Sequence, residues 1–315
     1  MRSWLLLLVM LPVCAHAWVL PGVGNFKFEK LAKNVYVMHG PLALPNKENK
    51  GFMNNPGIIV GDKGIVLIDP GSTYQVGKHV LKEMALISNK PVVAVFNTHI
   101  HGDHWLGNHA VKEAYPKVKI FGHKKMISMA NDQAGLQWLD IMSQLTGGAS
   151  KGTKLVVPKN ESKHKDKLIF AGQHFKIHSM NPAHTSTDIM IEHVESKTLF
   201  MGDNSFNKRM GRFDNTSSMH GSIKVLQYVK NLGMKIFVPG HGKSGKYDVA
   251  VKPFLDYLLT LQKTVRAGYK RSLENYEIKS VAIKQLSAYK DWSGFDESIG
   301  KHVSKMFLEI EVLDF

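Results

Sequence analysis

Six residues, His99-Ile100-His101-Gly102-Asp103-His104, constrain this chain more than any other stretch. They follow Val92 to Phe96, a short apolar run that reads as a buried strand, and precede Trp105 to Val111, which reads as the start of a helix. Three imidazoles and a carboxylate therefore sit in a tight turn at a strand end. Residues two apart in an extended segment point the same way, so His99 and His101 can hold one cation together. Asp103 and His104 come as the chain turns and can hold a second. A single histidine here would read as a surface residue, and Asp103 alone as a helix cap. Three histidines and an aspartate so close together repel when protonated and gain little when neutral, whereas imidazole with carboxylate is a zinc-type donor set.

With its partners in order downstream, Thr98 to His104 resembles the H-x-H-x-D-H signature of the metallo-β-lactamase-fold hydrolases. Asn181-Pro182-Ala183-His184-Thr185 is similar to the family's next histidine, Phe200-Met201-Gly202-Asp203 to its strand-end aspartate, and Val238-Pro239-Gly240-His241-Gly242 to its last histidine. Upstream, Val66 to Gly71 matches a supporting element with Asp69 at its centre. The likeness runs from about Phe26 to Lys246. It implies an α/β fold, an αββα sandwich of two mixed β-sheets flanked by helices, here with a C-terminal helical extension. It also implies that His99, His101 and His184 bind one metal, that Asp103, His104 and His241 bind another, and that Asp203 bridges them. Two zinc ions are the expected cofactors; nitrogen and oxygen donors also suit iron or manganese. Asp69 is expected to accept hydrogen bonds from the metal loop, Thr98 to brace it through its hydroxyl, and Asp188 to brace a ligand imidazole.

Two adjacent cations make hydroxide available near neutral pH for attack on a carbonyl, with Asp103 as the expected catalytic proton acceptor. Zinc β-lactamases commonly carry cysteine or serine where Asp203 stands, and an aspartate is more like the glyoxalase II type of thioesterase. The expectation is therefore an exported dinuclear zinc hydrolase of a small, anionic ester, thioester or amide. Two alternatives stand beside it: a β-lactamase, and a persulfide dioxygenase using one iron to activate oxygen. Asn207, Lys208 and Arg209, just past Asp203, either hold a substrate carboxylate or sulfonate or form a solvated loop. The closing Met306 to Glu311 resembles the C-terminus of zinc metallohydrolases from bacterial sulfur-oxidation and quinoprotein-relay gene clusters.

The N-terminus reads as a signal peptide over residues 1–17: Arg2, an apolar run from Trp4 to Val13, then Ala15-His16-Ala17. The run is too short to stay as a membrane span, so no integral membrane segment is expected after cleavage before Trp18, and the compartment is periplasmic or secreted. Cys14 is the one cysteine of the 315 residues and lies in that segment, so the mature chain has no disulfide and no thiolate ligand. The formal charge of +15 is spread along the chain without a basic run interleaved with aromatics. That pattern argues against a nucleic-acid partner and leaves room for steering of anions.

Residues 18–245 are expected to form the catalytic domain and 246–315 a helical cap. Within the first, Gly57 to Val60 and Ile65 to Ile68 read as a hairpin, Tyr74 to Ile87 as a helix with one apolar face, and Gly122 to Leu145 as largely helical. Pro41 to Phe52 is either a lid over the site or an ordinary connection. Lys151 to Lys167 reads as a surface loop, and His164, His174, His178, His193 and His220 are given no ligand role. In the tail, helical spacing begins near Val251, with further helices over about Glu274–Tyr289 and Asp296–Val312.

Overall fold

A computed structural model describes residues 23–314. The expected signal segment, Cys14 and Trp18 lie outside the described residues. The first half contributes β1 (Phe28–Ala32), β2 (Val35–Met38), β3 (Gly57–Val60), β4 (Ile65–Ile68), α1 (Tyr74–Ala85), β5 (Val92–Phe96), α2 (Gly102–Trp105), α3 (Asn108–Ala114), β6 (Lys119–His123), α4 (Lys124–Asn131), α5 (Ala134–Leu145) and β7 (Asn160–Ser162). Its strands form one sheet in chain order, antiparallel from β1 to β4 and parallel from β4 to β7. The second half contributes β8 (Lys167–Phe170), β9 (Gln173–His178), β10 (Met190–His193), β11 (Thr198–Phe206), α6 (Met219–Lys230), β12 (Ile236–His241), α7 (Tyr247–Ala250), α8 (Lys252–Tyr269), α9 (Asn275–Gln285) and α10 (Phe295–Asp314). Here β8 to β11 run antiparallel, and β12 joins β11 in parallel.

The two sheets face each other because their strands are apolar on the facing side. Val35, Val37, Val66, Ile68 and Phe96 of the first sheet meet Phe175, Ile177, Ile191, Phe200 and Val238 of the second in one buried cluster. The outer face of the first sheet takes the stripe Val76, Val80 and Met84 of α1, spaced one helical turn apart. Burying each such side chain contributes about 1.5–3 kcal/mol. The outer face of the second sheet is covered by α6 and the C-terminal helices, with Leu226, Phe254, Leu258, Ile299 and Met306 in one cluster. This is the αββα sandwich with a helical C-terminal segment. The cluster runs across position 246, so the tail supplies much of the second outer layer.

Three local expectations change. The helix after the histidine motif begins at Gly102, inside the motif, and breaks before resuming at Asn108. Three polar residues of the Lys151–Lys167 segment, Asn160 to Ser162, pair with β6 as a short edge strand that no apolar alternation announces. The strand delivering Asp203 continues to Phe206, because β12 follows it in parallel through two register shifts.

Candidate metal centre

The ends of β5, β11 and β12 and the loop after β9 converge at one edge of the sandwich. Because α2 starts at Gly102, Asp103 and His104 sit on its first turn, where each residue advances about 100° around the axis. That rotation aims them away from His99 and His101. The inner donor atoms form two groups, His99, His101, His184 and Asp203 in one and Asp103, His104 and His241 in the other, with atoms of each within 4.8 Å of one another.

Asp203 faces both groups. Its Oδ2 lies 3.3 Å from His184 Nε2 and 3.8 Å from His99 Nε2. Its Oδ1 lies 3.1 Å from His104 Nε2 and 3.3 Å from His241 Nε2. Gly240 makes this approach possible, since a Cβ there would collide with Asp203 Oδ1.

The outer nitrogens of His99, His101, His104 and His241 are held so that the inner ones point to the centre, whereas Nδ1 of His184 is buried without a partner. His104 Nδ1 donates to Asp69 Oδ2 at 2.8 Å, and His241 Nδ1 donates to the Met53 carbonyl at 2.7 Å. His99 Nδ1 donates to Thr98 Oγ1 at 3.0 Å, and that hydroxyl donates to Asp69 Oδ2 at 2.7 Å. Asp69 Oδ1 also accepts from Thr98 N at 2.8 Å. His101 turns Nε2 toward Asp214 Oδ2 at 3.4 Å, leaving Nδ1 3.0 Å from His184 Nε2. Fixed in this way, imidazoles present lone pairs rather than protons to one another. His99 Nε2 and Asp203 Oδ1 are buried without a hydrogen-bond partner. Such convergence is costly unless a cation sits among the donors.

Spacing agrees with that reading. Ligands about 2.05 Å from a tetrahedral cation are about 3.3 Å apart. In the second group, Asp103 Oδ2 to His104 Nε2, Asp103 Oδ2 to His241 Nε2, and His104 Nε2 to His241 Nε2 measure 3.4, 3.3 and 3.4 Å. Burial, then repulsion from His104, holds His99 well below the usual imidazole range, and burial pushes His184 down to about 3. Burial alone would raise Asp103 and Asp203 and lower His104 and His241, but without a cation the carboxylates pull both imidazoles above their usual range and the resulting positive charges hold both carboxylates well below theirs; a bound cation would take the place of those protons.

Asp69 accepts from Thr98 N, Thr98 Oγ1 and His104 Nδ1, and the Thr98 hydroxyl stands between Asp69 and His99. Asp188 differs: its carboxylate accepts from Thr185 N and Thr185 Oγ1, both at 2.7 Å, so it braces the backbone after His184 and not an imidazole. Asn207 gives its amide hydrogens to the Lys243 and Val249 carbonyls and is a brace as well. Lys208 faces solvent. Arg209 is 8% exposed, donates from Nη1 to Ala43 O at 3.1 Å, and feels the charges of Asp103 and Asp203. Residues 49 and 51–56 are buried, so the latter part of the Pro41–Phe52 loop is a packed support that carries the Met53 carbonyl.

Sequence reasoning missed Asp214, Trp138 and Phe213. Asp214-Asn215-Thr216-Ser217 before a helix is a turn signature, and Asp214 is the lone acidic residue between Asn204 and Ser218. The half-buried rings of Trp138 and Phe213 lie 5.0 Å from His101 and 6.4 Å from His184, walling the first group. A cavity of about 520 Å³ between α8 and α9 carries no comparable cluster; Lys263 and Arg271 are its basic lining residues.

The profile of the Metallo-beta-lactamase superfamily matches residues 49–241, which hold all seven donors, the last of them, His241, at the end of the match, together with Met53 and Asp69. This chain belongs to the metallo-beta-lactamase superfamily. Two hydroxyacylglutathione hydrolases from Synechococcus strains JA-2-3B'a(2-13) and JA-3-3Ab are 31% and 29% identical to it over 163 residues, 51% of this chain and 52% of each relative. The chain thus matches about half the length of these superfamily relatives. Among solved structures, the sec-alkylsulfatase Pisa1 from Pseudomonas sp. superposes with a TM-score of 0.69 at 18% identity, over 90% of this chain and 50% of that one. A metallo-beta-lactamase from Pontibacter korlensis superposes with a TM-score of 0.59 at 17% identity, over 74% of this chain and 99% of that one. These likenesses establish the fold.

Proposed function

We propose that this chain is an exported dinuclear zinc hydrolase that cleaves a small anionic ester, thioester or amide. The observation that carries the reading is the division of Asp203 between the two donor groups, one carboxylate oxygen toward each. His99, His101 and His184 would hold one ion, Asp103, His104 and His241 the other, and Asp203 both. Two such ions would lower the pKa of a shared water and stabilise charge on the attacked and leaving oxygens.

The residues around them do the rest. Thr98 and Asp69 fix the tautomers of His99 and His104, and the Met53 carbonyl fixes that of His241, so each keeps a lone pair on its inner nitrogen. Asp103, whose Oδ2 lies 3.4 Å from His104 Nε2 and 3.3 Å from His241 Nε2, is the group we assign as proton acceptor. Trp138 and Phe213 cover the first group and limit water around a bound acyl group. Arg209 has no carboxylate within ion-pair distance among the described residues, and its guanidinium is the group we assign to an anionic end of the substrate. Among the described residues no helix is long and apolar enough to cross a membrane. The Synechococcus relatives are named as hydrolases of an acyl-glutathione, which makes thioesters the first class to test.

The test is metal content per chain on protein purified without added metal, followed by turnover on thioesters, esters and lactams. Two zinc ions and thioester or ester turnover above lactam turnover are expected. A single iron with thiol-dependent oxygen uptake would overturn the reading in favour of a persulfide dioxygenase.

A further inference from the structure

Asp69 serves both donor groups, His104 directly and His99 through Thr98, but the rest of their support comes from different parts of the chain. In the second group His104 is held by Asp69 and His241 by the Met53 carbonyl, both from the first half. His101 and His184 depend on a turn from the second half, Asp214 to Ser218. Asp214 Oδ2 lies 3.4 Å from His101 Nε2, and its Oδ1 is fixed by Thr216 N and Thr216 Oγ1, both at 2.8 Å. Ser217 Oγ accepts from Asp214 N at 2.8 Å and donates to the His184 carbonyl at 2.6 Å. Ser218 N donates to the Ala183 carbonyl at 2.8 Å. Five consecutive residues thus reach both histidines.

The turn is fastened in turn by the C-terminal helix. Glu309 of α10 accepts from Met219 N at 2.8 Å, His220 N at 3.0 Å, His220 Nδ1 at 2.8 Å and Ser218 Oγ at 3.2 Å. It satisfies donors at the start of α6 that have no partner within the helix. The start of α6 also presses on the His184 loop, where a Cβ at Gly221 would collide with the Pro182 carbonyl. The support is looser than its counterpart. Asp214 meets its imidazole at 3.4 Å with a side chain 29% exposed, whereas Asp69 meets His104 at 2.8 Å and is 5% exposed.

We propose that the Asp214–Ser218 turn, fastened by Glu309, is a latch that positions His101 and His184. It sets the metal affinity of the His99, His101 and His184 group independently of the other group. This rests on the metal reading above. Asp214 acts through His101: its carboxylate holds the outer N–H, orients the ring and raises the basicity of the inner nitrogen.

The experiment uses the full chain and zinc alone, titrated against a competing chelator, with thermal unfolding of the metal-free protein as the second readout. In Asp214→Asn, one of two zinc ions should bind about 10–100-fold more weakly while the other and the metal-free Tm stay near native. Glu309→Gln should weaken the same ion by less. In a His241→Ala background, where the histidine-rich group holds the remaining ion, Asp214→Asn should weaken that ion by the same factor. Two native-affinity ions in Asp214→Asn would overturn the latch alone, as would equal weakening of both ions with a lowered metal-free Tm. A native chain that binds no zinc would overturn the metal reading and the latch with it.

Discussion

Asp69 holds His104 by a 2.8 Å hydrogen bond from Nδ1 to Oδ2, and the same oxygen accepts from Thr98 Oγ1 at 2.7 Å. One carboxylate at the end of β4 therefore sets an imidazole in each donor group, His104 directly and His99 through Thr98. Asp69 does this from a left-handed backbone, φ +49°, that few side chains tolerate. Asp69→Asn keeps that backbone accessible and removes one acceptor oxygen. We expect about a 10–100-fold loss in zinc affinity at both groups and a matching fall in kcat/KM. Zinc titration with parallel thioester turnover checks it; native affinity at both groups would show that the carboxylate is dispensable.

Gly240 lies against Asp203 Oδ1, and Gly240→Ala forces the carboxylate or β12 to move. The bridging geometry should fail first, because the displaced atom faces His104 and His241. The expected result is a chain with native far-UV circular dichroism that retains about one metal per chain and has lost at least tenfold in kcat. Two retained ions with native kcat would mean that the division of Asp203 between the groups is not needed.

The seven donors and Asp69 were legible because the chemistry of each lies in its own side chain and recurs at strand ends. His99 and His101 two apart, and the glycine before His241, carry their geometry in the sequence. What stayed hidden was contributed by backbone or by tertiary approach. The Met53 carbonyl has no residue signature at all. Asp214 looks like any turn residue until the turn is folded against His101. Asp188 and Asn207 have the right polarity in the right loop, and only the fold shows that they are spent on backbone groups. The helix start at Gly102 was missed for a related reason: Gly102 and Asp103 are weak helix formers, and packing of Trp105 and Leu106 beneath the motif outweighs that.

Arg209 is buried beside the centre with Nη1 on the Leu42–Ala43 carbonyls and no carboxylate partner among the described residues. Burial lowers its pKa from the usual guanidinium value, and the charges of Asp103 and Asp203 oppose that shift. If it receives the anionic end of the substrate, Arg209→Met should raise KM for a carboxylate-bearing thioester by about tenfold or more, with KM for a neutral analogue little changed. A fall in KM discrimination between the two substrates is the quantity to measure. Equal changes for both would assign Arg209 to holding the loop alone.

His302 gives the chain a pH dependence unconnected with metal. Its Nε2 donates to the Gly211 carbonyl at 2.9 Å, and Nδ1 accepts from Tyr257 at 2.7 Å. Burial pushes its pKa from 6.5 down to about 4, against the opposing pull of the Gly211 carbonyl. Protonation would also put a hydrogen on Nδ1, where the Tyr257 hydroxyl already donates. The unfolded chain takes up this proton at higher pH than the folded one, so ΔG of unfolding rises with pH between about 4 and 6.5. The contribution is full above about pH 6.5 and lost as pH falls toward about 4, on the order of 3 kcal/mol in all. Replacing His302 by Gln removes the titrating group, so metal-free His302→Gln should lose stability less steeply than the native chain over this window in urea unfolding. Parallel pH profiles for the two chains would place the acid sensitivity elsewhere.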